Sequence, residues 1–166
     1  ACYEYAPPVS DAVVRVKFDE DVAPIEDLGR RMAHKLLACG LEKQFDVIVP
    51  APVSRKTLRP RGYNQSLLLA NCIARQCALP VLDGVLLKEK ETEPQANLGR
   101  ADRLANVQGA YAVQNAEKIA GKRVLLGDDV FTTGSTANEC AKTLVEAGGA
   151  ECGVLCLAST PKRDSE

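Results

Sequence analysis

Residues 123–136 read Arg123-Val-Leu-Leu-Gly-Asp-Asp-Val-Phe-Thr-Thr-Gly-Ser-Thr136, and the fold is read outward from them. Val124, Leu125 and Leu126 form the short apolar run that a strand buried on both faces requires. Asp128 and Asp129 stand at its end. Residues 131–135 make a small, hydroxyl-rich loop. Residues 136–147 then carry Ala137, Cys140, Ala141, Leu144 and Val145 at helical spacing, and Gly148-Gly149 stops them.

The same alternation extends in both directions. Helical patterns cover residues 7–18 and 24–39, the second with Ile25, Leu28, Met32, Leu36 and Cys39 on one stripe before Gly40. Residues 45–50 read as a buried strand, 51–61 as a loop, 62–78 as a helix and 81–87 as another strand. A last strand is expected over 152–157, and residues 1–6 suit a short edge strand. Strands alternating with helices predict an α/β fold, a doubly wound and mainly parallel sheet flanked by helices. The length, 166 residues, fits one domain spanning 1–166. Aromatic residues are only 4% of the chain and Trp is absent, so the core must be built from aliphatic side chains.

Charge and composition exclude several classes. Twenty-one basic against 22 acidic residues leave a net charge of −1, which argues against a general nucleic-acid coat. No apolar run approaches the roughly 20 residues of a membrane-spanning helix, and no secretory signal opens the sequence. The seven cysteines (Cys2, Cys39, Cys72, Cys77, Cys140, Cys152 and Cys156) contain no C-x-x-C pair. They are expected as small, reduced core residues in a cytoplasmic protein. His34, the only histidine, lies off the apolar stripe of its helix and is set aside as a catalyst.

The chemistry concentrates at the end of the strand over residues 122–129. In open α/β sheets ligands bind beyond the carboxyl ends of the strands. Thr132, Thr133, Gly134, Ser135 and Thr136 would present free N–H groups at a helix start, a site suited to phosphate. Asp128 and Asp129 can accept hydrogen bonds from vicinal sugar hydroxyls or bind Mg²⁺ through oxygen. Phosphate, diol and metal together describe a phosphorylated ribose. A plainer reading makes Thr136-x-x-Glu139 a capping box, with the acids merely ending a strand and contributing little to the core.

The basic residues Arg55, Lys56, Arg59 and Arg61 crowd the expected loop after the first core strand, within a span (47–82) that holds no acidic residue. Guanidinium groups there could grip pyrophosphate bidentately. Residues 88–108 are strongly polar, with four acids, four bases, Pro94 and Gly99.

With these residues in view, Asp128-Asp129 and Thr132–Thr136 resemble the phosphoribosyl pyrophosphate (PRPP) motif of type I phosphoribosyltransferases. Val49-Pro-Ala-Pro52 and Arg59-x-Arg61-Gly62-Tyr63-Asn64-Gln65 resemble the first half of the ComF family, as do Thr92-x-x-Gln95, Leu98-x-Arg100 and Arg103-Leu-Ala-Asn106. The likeness spans residues 5–158. It implies that Asp128 and Asp129 hold the ribose hydroxyls, with Mg²⁺ beside them, and that residues 132–136 hold the 5′-phosphate. Arg55, Lys56, Arg59 and Arg61 would face pyrophosphate, and residues 88–108 would form a mobile hood closing with Gln95, Arg100 and Arg103. The family's N-terminal four-cysteine zinc module is missing from the sequence, so no zinc is expected in this chain. Gly127 replaces the family's usual branched residue and is expected to loosen the strand end, and residues 88–93 are more acidic than the family's Arg-rich stretch.

The resemblance implies displacement of pyrophosphate from PRPP by a nitrogen nucleophile. Thr132 stands where purine-salvage relatives carry a carboxylate, which disfavours a purine acceptor and leaves the catalytic residues unassigned. The alternative is a non-catalytic accessory of natural competence, with single-stranded DNA, competence proteins or a second copy of the chain as partners.

Overall fold

Four parallel strands carry the site, in the spatial order β1 (Tyr3–Glu4), β6 (Glu151–Ser159), β5 (Arg123–Phe131) and β2 (Val47–Pro50). The computed structural model describes residues 1–90 and 107–161. Beyond β2, Ile48 bridges Val81 in parallel and extends the sheet by one position. Three helices, α1 (Val9–Phe18), α2 (Ala23–Ala38) and α4 (Gln65–Cys77), cover one face, where Met32, Leu36, Leu69 and Ile73 pack on Ile48, Leu125 and Leu157. On the other face α5 (Ser135–Glu146) brings Ala137, Cys140 and Leu144 onto Val47, Val49, Val124 and Leu126. Apolar runs buried on both faces make these strands continuous rather than alternating.

Two departures from the expected elements affect the site. Residues 55–61 are not loop but a helix, α3 (Arg55–Arg61), despite Pro60 inside it. The Ser54 hydroxyl caps it, accepting from Thr57 N at 3.2 Å, and Gly62 closes it in the left-handed region at φ 77°. Nor do residues 81–87 form one strand. Gly84 turns the chain at φ 70°, and β3 (Leu86–Lys88) instead pairs antiparallel with β4 (Tyr111–Val113) in a separate two-stranded sheet.

Helix α4 lies against α2 so closely that a Cβ on Gly29 would fall 2.4 Å from Cys72 Cβ. Only hydrogen fits there. All seven cysteines are free, and Cys72, Cys140 and Cys156 are buried. Burial pushes the Cys156 thiol up to about 12. At the opposite end of the sheet from the acid pair, Asp46 clamps the start of β5. Its carboxylate accepts from Arg123 N at 2.8 Å and from Arg123 Nη2 at 2.7 Å. Those bonds hold Asp46 down at about 2. Gly127 does not loosen the strand, since it pairs with Pro50 on one side and Leu155 on the other.

Candidate functional site

Successive side chains of β5 point to opposite faces, so Asp129 follows Leu125 toward the face covered by α1, α2 and α4. There it is 6% exposed. Its Oδ1 accepts from Val130 N at 2.7 Å, and its Oδ2 lies 2.7 Å from the ammonium of Lys17, near the end of α1. The contact with Oδ2 is an ion pair without aligned hydrogen-bond geometry. This corrects the expectation that both strand-end carboxylates contribute little to the core, because a carboxylate so buried must be paired. Nothing local in residues 7–18 singles out Lys17.

Asp128 is half-buried, and its Oδ1 accepts from Ser66 Oγ at 3.0 Å and from Asp129 N at 2.9 Å. Burial is the main force raising its pKa above the usual carboxylate range, and the neighbouring Asp129 charge adds to it. The amide of Asp129, Lys17 and Ser66 pull the other way without cancelling it. Among the described residues no hydrogen bond or ion pair reaches Asp128 Oδ2.

The stretch Arg61-Gly62-Tyr63-Asn64-Gln65-Ser66 ties this arrangement together. Arg61 donates to Gln65 Oε1 at 2.7 Å, and Tyr63 OH donates to the Val16 carbonyl, beside Lys17. Asn64 caps α4 through Ser66 N at 3.0 Å and donates to the Ala51 carbonyl at 3.0 Å. Ser66 completes the chain of contacts to Asp128. One motif thus fixes both the helix end that carries Lys17 and the first turn that holds Asp128.

After β5 the chain turns through Thr132 and Thr133 to Gly134, the N-cap of α5, at φ 80°. The left-handed backbone at φ 80° demands glycine here, and a Cβ on Gly134 would also fall 2.6 Å from Phe131 Cζ, displacing that partly exposed ring. Thr133 Oγ1 and Ser135 Oγ lie 2.9 Å apart. The amides of the first turn of α5 lie outside the helix's own ladder of bonds, and that of Ser135 donates to Thr133 Oγ1 at 3.4 Å. Thr136 is not the cap of a capping box. Glu139 reaches instead to Gly109, whose N donates to Oε1 at 2.8 Å. Buried Tyr111 of β4 has its hydroxyl beside Thr136 and Cys140. The antiparallel pairing of Lys88 with Tyr111 therefore brings the two ends of the intervening segment to the hydroxylated turn. Gln95, Arg100 and Arg103, expected in the hood, lie outside the described residues.

Helix α3 starts just beyond β2, whose last residue Pro50 pairs with Gly127, the residue before the acids. Arg55, Lys56 and Arg59 are exposed and Arg61 is half-buried. Among the described residues none of the four has an ion-pair partner. Acid pair, hydroxylated helix start and basic helix thus share one edge of the sheet. No group of three or more His, Cys, Asp or Glu able to hold a metal occurs among the described residues. A divalent cation here would meet one uncommitted carboxylate oxygen, Asp128 Oδ2, which fits a metal held largely by oxygens of its own ligand. No helix of the described residues is long and apolar enough to cross a membrane.

No family model matches the chain. Competence protein F of Haemophilus influenzae is 33% identical over 161 residues, covering 93% of this chain and 69% of that protein. The DNA utilization protein YhgH of Escherichia coli K12 is 30% identical over 161 residues, covering 95% and 70%. Among solved structures, the purine phosphoribosyltransferase of Pyrococcus horikoshii superimposes with a TM-score of 0.51 at 16% identity, covering 86% of this chain and 77% of that one. The architecture is that of the type I phosphoribosyltransferases, and by its sequence relatives the chain belongs to the ComF family.

Proposed function

We propose that this protein binds PRPP and, with Mg²⁺, displaces its pyrophosphate with a nitrogen nucleophile. One observation carries the reading. Asp128 and Asp129 lie near the C-terminal end of β5, a short turn ahead of the glycine-capped start of α5, while the basic helix α3 begins just beyond the end of the neighbouring strand. These three features match the three parts of one ligand. The amides of Ser135, Thr136 and Ala137, with the hydroxyls of Thr132, Thr133 and Ser135, suit the 5′-phosphate. Of the acid pair, Asp128 Oδ2 is left to accept from the ribose hydroxyls, while Asp129 is held by Val130 N and Lys17. Arg55, Lys56, Arg59 and Arg61 offer charge to the pyrophosphate.

Mg²⁺, held at Asp128 and by ligand oxygens, would supply charge neutralisation for the departing pyrophosphate. Within the protein, Lys17 and the buried Asp129 fix the height of the acid pair, and Ser66 fixes the rotation of Asp128. The basic helix lowers the cost of the negative charge that grows as the bond to the anomeric carbon breaks. The hood role that the family resemblance implies for residues 88–108 falls mostly outside the described residues.

The relatives' names, a competence protein and a DNA utilization protein, favour a second reading, a role in DNA uptake with DNA or a competence protein as partner. The two readings separate in one pair of titrations. Calorimetry with PRPP and Mg²⁺, followed by a screen of amine and base acceptors for pyrophosphate release, is expected to show saturable binding and turnover. Absence of PRPP binding, together with salt-sensitive binding of single-stranded DNA, would transfer the function to the second reading.

A further inference from the structure

We propose that Lys17 is a positioning and specificity residue of the acid-pair site. Its ammonium takes the place of a divalent cation at Asp129, so the site accepts metal only together with an oxygen-rich ligand, through Asp128. The inference rests on the acid pair being the sugar side of the site, but its geometry stands on the protein alone.

Two adjacent carboxylates at a strand end are ordinarily a place where a hard cation settles. Here the more buried of the two has no such freedom. Asp129 Oδ1 is taken by Val130 N at 2.7 Å, and the Lys17 ammonium lies 2.7 Å from Oδ2. Lys17 is itself three-quarters buried, at 24% side-chain exposure, so this is not a surface pair that salt dissolves. Its position is built in, because Tyr63 OH holds the carbonyl of Val16, the residue before it. Asp128 has its Oδ1 engaged by Ser66 and Asp129 N. One carboxylate oxygen remains for a cation, too few for a hard ion that takes six or more oxygen ligands. A metal arriving with a diphosphate and a sugar diol brings the missing oxygens with it.

Removing the ammonium while keeping both carboxylates would convert the pair into an ordinary cation site. The test uses Mn²⁺ alone, with free Mn²⁺ read by electron paramagnetic resonance, on the wild type, Lys17→Gln, Lys17→Arg and Lys17→Gln/Asp129→Asn. Lys17→Gln is expected to bind Mn²⁺ at least about tenfold more tightly than the wild type. Lys17→Arg should stay at the wild-type level, and the double variant should lose the gain. Equal Mn²⁺ affinity in wild type and Lys17→Gln, or a gain in Lys17→Arg as large as in Lys17→Gln, would overturn the proposal. If Lys17→Gln is too unstable to titrate directly, the rise in its melting temperature with added Mn²⁺ gives the same comparison, and no rise beyond that of the wild type would overturn it. Because PRPP is absent throughout, failure of the PRPP reading leaves this result standing, and the converse also holds.

Discussion

The ion pair between Lys17 and Asp129 is asymmetric, and that asymmetry yields a quantitative prediction. Asp129 is 6% exposed, whereas the Lys17 side chain is 24% exposed. Breaking a fully buried pair costs about 3–5 kcal/mol because a charge is left without a partner, and an exposed pair is worth about 0–1 kcal/mol. In Asp129→Asn the orphaned group is the ammonium, which can swing to water, so a loss of about 1–2 kcal/mol is expected. In Lys17→Met the orphan is the more buried carboxylate, and a loss of about 3 kcal/mol is expected. The double variant Lys17→Met/Asp129→Asn leaves no charge behind and should be more stable than Lys17→Met alone, a coupling that a double-mutant cycle isolates. Urea unfolding followed by far-ultraviolet circular dichroism measures all four proteins, with unchanged slopes required for the comparison. A Lys17→Met loss no larger than that of Asp129→Asn, or strict additivity in the double variant, would refute the reasoning.

Three further outcomes are expected. Arg59→Ala with Arg61→Ala should weaken pyrophosphate and PRPP but spare ribose 5-phosphate in calorimetry, since only the first two carry charge toward α3, and equal loss for all three would disconnect α3 from the pyrophosphate. Gly29→Ala should destabilise by about 1–3 kcal/mol or more in urea unfolding, because the added methyl would meet Cys72 Cβ at 2.4 Å and force α2 and α4 apart. Asp46, held down at about 2 by Arg123, binds its proton more weakly in the folded chain than in the unfolded one, where its pKa is near 3.8. Its contribution is therefore present above about pH 4 and lost as pH falls toward 2, so melting curves of wild type and Asp46→Asn should differ at neutral pH and converge near pH 2.

What could be read from the sequence follows the range of the interactions concerned. β2, β5 and β6 announce themselves as apolar runs, and α5 as a stripe closed by Gly148-Gly149, because burial on a sheet dictates side chains locally. The acid pair and the turn at Gly134 were legible for the same reason, being one continuous segment. Helix α3 was not, since its four bases and Pro60 show no apolar face. Its signals were the cap at Ser54 and the stop at Gly62, two residues that a loop would also tolerate. The strand expected over 81–87 failed at Asp83-Gly84, a turn pair whose left-handed glycine sends the chain to a second sheet. Glu139 was drawn into a capping box by spacing alone, whereas tertiary structure gives its carboxylate to Gly109. Lys17 carried no local signal whatever. Its importance comes from Tyr63 and Asp129, far along the chain, and only the folded arrangement brings the three together.

The central claim is positional: the phosphate of a phosphoribosyl ligand at the start of α5 and its sugar hydroxyls at the acid pair. A crystal structure of the protein with ribose 5-phosphate tests it most directly. The account predicts phosphate density within hydrogen-bond reach of the amides of Ser135, Thr136 and Ala137, with the sugar hydroxyls directed at the acid pair through Asp128 Oδ2. Density for the sugar phosphate elsewhere on the molecule, or with the phosphate at α3 and the sugar turned away from Asp128, would contradict it.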